Sequence, residues 1–163
     1  MTPVQYTHAQ LQRTGFLSRT QRGNFINGQE LPPHSGKYIA VVDPASELEV
    51  SQAPDSDSAD VNAAVASARL AFEDSEWSRL RPADRERLLF NLSLLIEQNG
   101  DELSALETLQ SGKLQGIARA VDVGSGAEFV RYMAGWATKI EGQTLQPSIG
   151  FPPGVQYHTW TRR

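Results

Sequence analysis

No cysteine occurs among the 163 residues, so disulfides, thiolate metal ligands and a thiol nucleophile are excluded together within them. Covalent chemistry is left to Ser, Thr, Lys and carboxylates. No apolar run approaches the ~20 residues that cross a bilayer, and Met1 to Thr14 lacks the uninterrupted apolar core of a secretory signal. A cytoplasmic location without membrane attachment is therefore expected. Histidine is scarce: His8, His34 and His158 fall in different predicted elements, which supports neither a metal site nor a Ser-His pair. No Gly-x-Gly-x-x-Gly follows a strand-like stretch, and Gly112-Lys113 lacks the preceding Gly and the following Ser or Thr of a phosphate loop, so nucleotide binding by these residues alone is not expected. Asp55, Asp57 and Asp60 lack the Gly and closing Glu of a calcium loop and read as helix-capping residues. Positive charge is in deficit, with 15 Lys and Arg against 19 Asp and Glu, which excludes a basic nucleic-acid-binding surface.

What is present reads as a folded chain. Apolar residues make up 39% and charged residues 21%, outside the range of disordered sequences. A chain of this length can bury roughly 68–70% of its unfolded surface. The organising stretch is a predicted helix from Gly116 to Glu141, about 39 Å long at the α-helical rise. Phe129, Val130, Met133, Ala137 and Ile140 recur on one side of it, and that side is expected to be buried. Gly124, Gly126 and Gly135 lie inside it at a cost of about 1 kcal/mol each relative to Ala. Either a neighbour approaches the backbone closely there or the helix tolerates poor propensity.

Residues 1–22 read as an N-terminal arm or short docking helix carrying Leu11, Phe16 and Leu17. Asn27-Gly28 after Phe25-Ile26 predicts a tight hairpin, because both residues tolerate positive φ. Lys37 to Val42 reads as a strand, Asp43-Pro44-Ala45-Ser46 as a turn and Glu47 to Val50 as the returning strand, together a small meander. Pro54 to Ser58 breaks the chain before a helix carrying Val61, Ala64, Val65, Ala68 and Phe72, expected to end near Trp77. Pro82 opens the next helix at a first-turn position, where its missing N–H costs nothing. Leu88, Leu89, Leu92, Leu95 and Ile96 form that helix's main face and Phe90 and Leu94 a second, so cover on both sides is expected. Gly100 reads as its stop, Asp101 as the next N-cap and Gly112 as the C-terminal cap of the helix bearing Leu103, Leu106 and Leu109, with Glu107 on its flank. Beyond Gly142, a Pro- and Gly-rich loop leads to a strand-like alternation from Val155 to Thr161, which asks for a sheet that the chain does not itself offer.

Three stretches in order carry a resemblance: Glu107-Thr108-Leu109-Gln110-Ser111-Gly112-Lys113, then Arg131-Tyr132-Met133-Ala134-Gly135-Trp136-Ala137-Thr138-Lys139-Ile140-Glu141-Gly142, then Tyr157-His158-Thr159-Trp160-Thr161-Arg162-Arg163. They resemble landmarks of the NAD(P)-dependent aldehyde dehydrogenase superfamily. Leu145 to Ile149, Pro152-Pro153-Gly154 and the Trp160-Thr161-Arg162 ending are most similar to its phenylacetaldehyde dehydrogenase branch. The resemblance runs from about Phe25 to Arg163 and covers the family's N-terminal portion only.

It implies an α/β fold: residues 23–142 as the first part of the cofactor-binding domain, a small β-meander with a helical layer, and residues 143–163 as the start of the oligomerisation arm, the piece being largely helical. The complete family enzyme oxidises an aldehyde to a carboxylic acid with NAD or NADP, as a homodimer or homotetramer. Its catalytic cysteine, its water-activating glutamate and its Rossmann motif belong to the part that follows, so these residues alone are expected to bind no cofactor and to be inactive. By the same similarity, Val121, Gly124 and Ser125 line the substrate entrance, where small residues suit a bulky aryl aldehyde. Val42 and Gln110 flank a monovalent-cation site, with neutral Gln110 where the family often has Asp. Leu114 replaces a frequent proline after Lys113. The competing expectation is a truncated, non-catalytic homologue serving as a structural or interaction module.

Overall fold

The computed structural model describes residues 15–142 and Gly154. The predicted arm before Gly15 and the predicted oligomerisation strand lie outside the described residues. A 3₁₀ turn, Phe16–Ser18, leads to β1 (Asn24–Ile26) and β2 (Gln29–Leu31), then β3 (Tyr38–Val42) and β4 (Glu49–Pro54). The helices follow: α1 (Ser58–Asp74), α2 (Glu76–Arg79), α3 (Pro82–Gln98), α4 (Gly100–Ser111), α5 (Gln115–Ile117), a π-helical segment (Ala118–Val123) and α6 (Gly124–Trp136). The α/β composition, two small antiparallel pairs beside a helical layer, is the expected one.

The β region differs in detail from a meander. It consists of two separate two-stranded antiparallel sheets, β1 with β2 and β3 with β4. The first closes at Asn27 (φ 50°) and Gly28 (φ 74°), the positive-φ pair that a two-residue hairpin twisted like its strands requires. In the second, the turn is longer than expected. Glu47 takes φ 60° and donates its N–H to the Asp43 carbonyl at 2.8 Å, so the returning strand begins at Glu49. The β3–β4 register shifts between Val41 and Val42. Thr20 to Arg22 runs beside β4, with Gln52 N donating to Thr20 O at 2.7 Å and Arg22 N to Gln52 O at 3.0 Å.

Local chemistry sets most helix ends. Asp57 caps α1 reciprocally with Asp60, the capping-box arrangement that satisfies two otherwise orphaned amides. Pro82 occupies the first turn of α3. Asn99, rather than Gly100 and Asp101, forms the joint between α3 and α4. Its side chain donates to the Leu95 carbonyl at 2.8 Å, closing α3, and Asp101 then falls inside the first turn of α4. Gly112 ends α4 in the left-handed region at φ 74°, as a C-terminal cap should.

The predicted long helix is present but begins at Gln115, passes through the π segment and ends at Trp136. Its buried face is also not the expected one. Val123, Ala127 and Ala134 are buried, whereas Phe129, Met133 and Ile140 are more than half exposed. Small residues win because α6 packs along α3, where Ser93 is fully buried. Side chains of one or two heavy atoms let helix axes approach closely, and Phe or Met there would hold them apart. The remaining α3 face, with Leu88, Phe90, Leu92 and Leu95, is exposed, so α3 is covered on one side rather than two. A second small core joins Val50, Ala105 and Leu109, against which Leu17 and Val41 pack.

Candidate functional site

The sequence points to two places: the start of the long helix and the corner where β3 meets α4. The π segment dominates the first. A π turn inserts an extra residue into the helical repeat, and such insertions occur frequently at functional sites. Gly124 and Ser125 follow it directly and form one wall of an open hollow with Ala120 and Phe129, whose charged rim is Glu97, Arg119 and Glu128. Val121 is exposed in the π segment itself. The structure thus brings Gly124 and Ser125 to a common concave surface, with Val121 one turn earlier on the same helix.

Among the described residues, no neighbour approaches these glycines closely. A Cβ at Gly124 would meet nothing nearer than the Arg119 carbonyl at 3.5 Å, at Gly135 only the Lys139 Nζ at 3.6 Å, and at Gly126 nothing within 4 Å. Of the two alternatives, the described residues favour tolerance of poor propensity.

Ion pairs connect the helices of this region. Arg131 donates from Nη2 to Glu97 Oε1 at 2.8 Å and from Nη1 to Glu128 Oε1 at 2.5 Å, tying α6 to α3; its guanidinium also lies 5.9 Å from the centre of the Phe90 ring. The bond to Glu97, more than any other interaction, pushes the Arg131 pKa above its already high ordinary value. Arg119 donates from Nε to Asp101 Oδ1 at 3.1 Å and from Nη2 to the Glu97 carbonyl at 3.3 Å. Lys113 Nζ lies 3.0 and 2.9 Å from the two Asp122 carboxylate oxygens and 3.4 Å from Glu107 Oε1. Its pKa is raised, chiefly by the Asp122 bond. Glu107 thus serves as an ion-pair partner on the helix flank. The sequence reading missed Glu97, Arg119 and Phe129 as parts of the hollow, and the Lys113–Asp122 pair beside them. No short-range signal marks them, since Lys113 and Asp122 are nine apart and Arg119 and Glu97 twenty-two apart.

At the second place, Val42 ends β3 and Gln110 lies in the last turn of α4, both exposed. Gly112 brings the helix end against the turn: a Cβ there would be 3.1 Å from Pro44 Cγ. Asp43 is buried, and its carboxylate is committed to its own turn, Oδ1 accepting from Ala45 N at 3.0 Å and Oδ2 from the Ser46 hydroxyl at 2.8 Å. A monovalent cation at this corner would find neutral oxygens from Val42 and Gln110 and no uncommitted charge from Asp43. Among the described residues, no group of three or more His, Cys, Asp or Glu side chains is placed to hold a metal ion, and no helix is long and apolar enough to cross a membrane.

Comparison with known proteins concerns the chain as a whole. The chain is 44% identical over 138 residues to phenylacetaldehyde dehydrogenase of Pseudomonas fluorescens, covering 85% of this chain and 28% of that protein. Its fold superposes on the NAD+ complex of aldehyde dehydrogenase from Bacillus cereus with a TM-score of 0.78 at 38% identity, covering 82% of this chain and 27% of that one. The P. syringae indole-3-acetaldehyde dehydrogenase in complex with NAD+ and IAA gives a TM-score of 0.77 at 30% identity, covering 88% and 29%. The chain therefore spans little more than a quarter of the length of these relatives. With a family model described as the aldehyde dehydrogenase family matching residues 31–160, the chain belongs to the aldehyde dehydrogenase family.

Proposed function

We propose that these residues are the N-terminal portion of an NAD-dependent aldehyde dehydrogenase that oxidises an arylacetaldehyde, phenylacetaldehyde foremost, to its carboxylic acid. The observation that carries this reading is the 44% identity to phenylacetaldehyde dehydrogenase over most of the chain. The likeness to an indole-3-acetaldehyde dehydrogenase supports the same substrate class, an aldehyde carbon one methylene away from an aromatic ring. In this reading Val121, Gly124 and Ser125 line the entrance for the aldehyde, and the small Gly124 and Ser125 leave width for the ring. Val42 and Gln110 mark the cation corner. Residues 1–22 form an arm, 23–142 the first part of the cofactor-binding domain and 143–163 the start of the oligomerisation arm of a cytoplasmic homodimer or homotetramer.

The 163 residues hold no cysteine, so the thiol nucleophile, the general base and the dinucleotide site come from the rest of the family's length. The exposed apolar faces of α1, α3 and α6 suit such a division, because apolar area this extensive is ordinarily covered by something. The absence of cysteine equally favours a second reading, a non-catalytic module whose exposed faces bind a partner. Two measurements separate the readings. The denatured intact mass of the protein from its natural source exceeds 17.9 kDa in the first and matches it in the second. The natural protein forms NADH from NAD and phenylacetaldehyde in the first, and a protein of full family length that oxidises neither phenylacetaldehyde nor other aldehydes refutes it.

A further inference from the structure

The π segment Ala118–Val123 determines where every later side chain of the helix points. One residue inserted into a repeat of 3.6 turns all that follows by about 100° relative to an uninterrupted α-helix. With that insertion in place, Ala127 and Ala134 reach the buried face against α3, and Gly124 and Ser125 line the hollow. A π turn is intrinsically poorer than the α turn it replaces, so something outside the local backbone must hold it.

Two side chains from the segment are held by α4 and its flanks. Asp122 receives both carboxylate contacts from Lys113, at 3.0 and 2.9 Å, and Lys113 is itself tethered to Glu107 of α4 at 3.4 Å. Arg119 reaches Asp101 of α4 and the Glu97 carbonyl near the end of α3. Its guanidinium lies over Gly100, where an added Cβ would come within 2.3 Å of the Arg119 Cζ, so glycine there makes room for the cation. The segment's two ends, Ala118 and Val123, are buried. It is thus anchored by packing at its ends and by opposite charges between them.

The geometry points to Lys113 and Arg119 as positioning residues that hold the π register, and through it decide which small residues, Gly124 and Ser125, face an incoming arylacetaldehyde. This rests on the proposed reading of that hollow as the aldehyde entrance.

The test uses the complete protein containing this segment and the variants K113M, D122N and G100A, with K113R as the conservative replacement. G100A leaves every charge in place and displaces only the flexible end of Arg119. Amide hydrogen exchange over residues 118–125 is measured beside steady-state oxidation of phenylacetaldehyde and acetaldehyde. Exchange is expected to rise by about two- to five-fold in K113M, D122N and G100A, the range for losing a partly exposed ion pair, with no change in the β1–β2 hairpin. KM for phenylacetaldehyde rises by a similar factor while kcat for acetaldehyde holds, and K113R restores both. A purely structural role would lower kcat for both aldehydes together. Unchanged exchange overturns the anchoring, and raised exchange with an unchanged KM ratio overturns its link to substrate. A parent protein that oxidises no aldehyde refutes the entrance reading instead, and exchange then decides the anchoring by itself.

Discussion

Gly28 and Gly112 share one backbone conformation, φ 74°, in different surroundings, which makes them a matched pair for separating backbone strain from crowding. An L side chain in the left-handed region costs about 1–2 kcal/mol. Replacing Gly by Ala returns about 0.4–1 kcal/mol by restricting the unfolded chain. At Gly28 an added Cβ meets nothing within 4 Å, so G28A is expected to lose only the difference, about 0–1.6 kcal/mol. At Gly112 the same Cβ would lie 3.1 Å from Pro44 Cγ. Pro44 is a rigid ring beside the buried Asp43 and gives way less easily than a flexible side chain. G112A is therefore expected to lose about 1–2 kcal/mol, more than G28A. The assay is chemical denaturation of parent and variants, compared by midpoint at constant slope, since a changed slope would signal an altered denatured state. A neutral G112A refutes the assignment of Gly112 as a left-handed helix cap, and equal losses at the two positions refute the crowding by Pro44.

Other expectations follow from the same packing and charge. A127L places a branched side chain in the α3–α6 contact, where Ala127 is wholly buried, and is expected to cost about 1–3 kcal/mol by overpacking, read by thermal or chemical unfolding. F72K alters a side chain that is 78% exposed; in the 163-residue chain it should shift stability by no more than about 0.5 kcal/mol while reducing self-association in sedimentation. A larger loss would show that Phe72 is covered. His34 Nδ1 lies 2.9 Å from Asp57 Oδ2, and its backbone N–H donates to Asp60. The Asp57 bond raises the His34 pKa above its ordinary 6.5, and the same bond, more than any other interaction, lowers the Asp57 pKa below 3.8. The contribution from His34 is present in full below pH 6.5 and fades as pH rises through its folded value. That from Asp57 is present above pH 3.8 and fades as pH falls through its folded value. The attachment of the Pro33–Gly36 turn to α1 is thus strongest between those limits. An NMR titration of His34 should show a raised midpoint that D57N returns to normal, and a normal midpoint in the parent contradicts the pair.

Much of the architecture is legible in the chain because it depends on residues a few positions apart. Asn27-Gly28, Asp57 with Asp60, Pro82 and Gly112 each satisfy a backbone constraint locally, and they place the hairpin, two helix starts and a helix end where the structure has them. The end of α3 is less legible, because Asn99, not Gly100, closes it through a side-chain bond to the Leu95 carbonyl. The family landmarks were legible for a similar reason, being consecutive residues in consecutive order. Gly124 and Ser125, entrance residues by family similarity, share a hollow with Glu97, Arg119 and Glu128, which no short spacing in the chain marks.

What tertiary structure alone decided is which face of the long helix is buried. Hydrophobic spacing puts Phe129, Met133 and Ile140 inward, whereas the close approach of α3 selects Ala127 and Ala134, with Val123 buried at the end of the π segment. Hydrophobic periodicity ranks faces by apolar content and does not register that a closely packed neighbouring helix admits only small side chains.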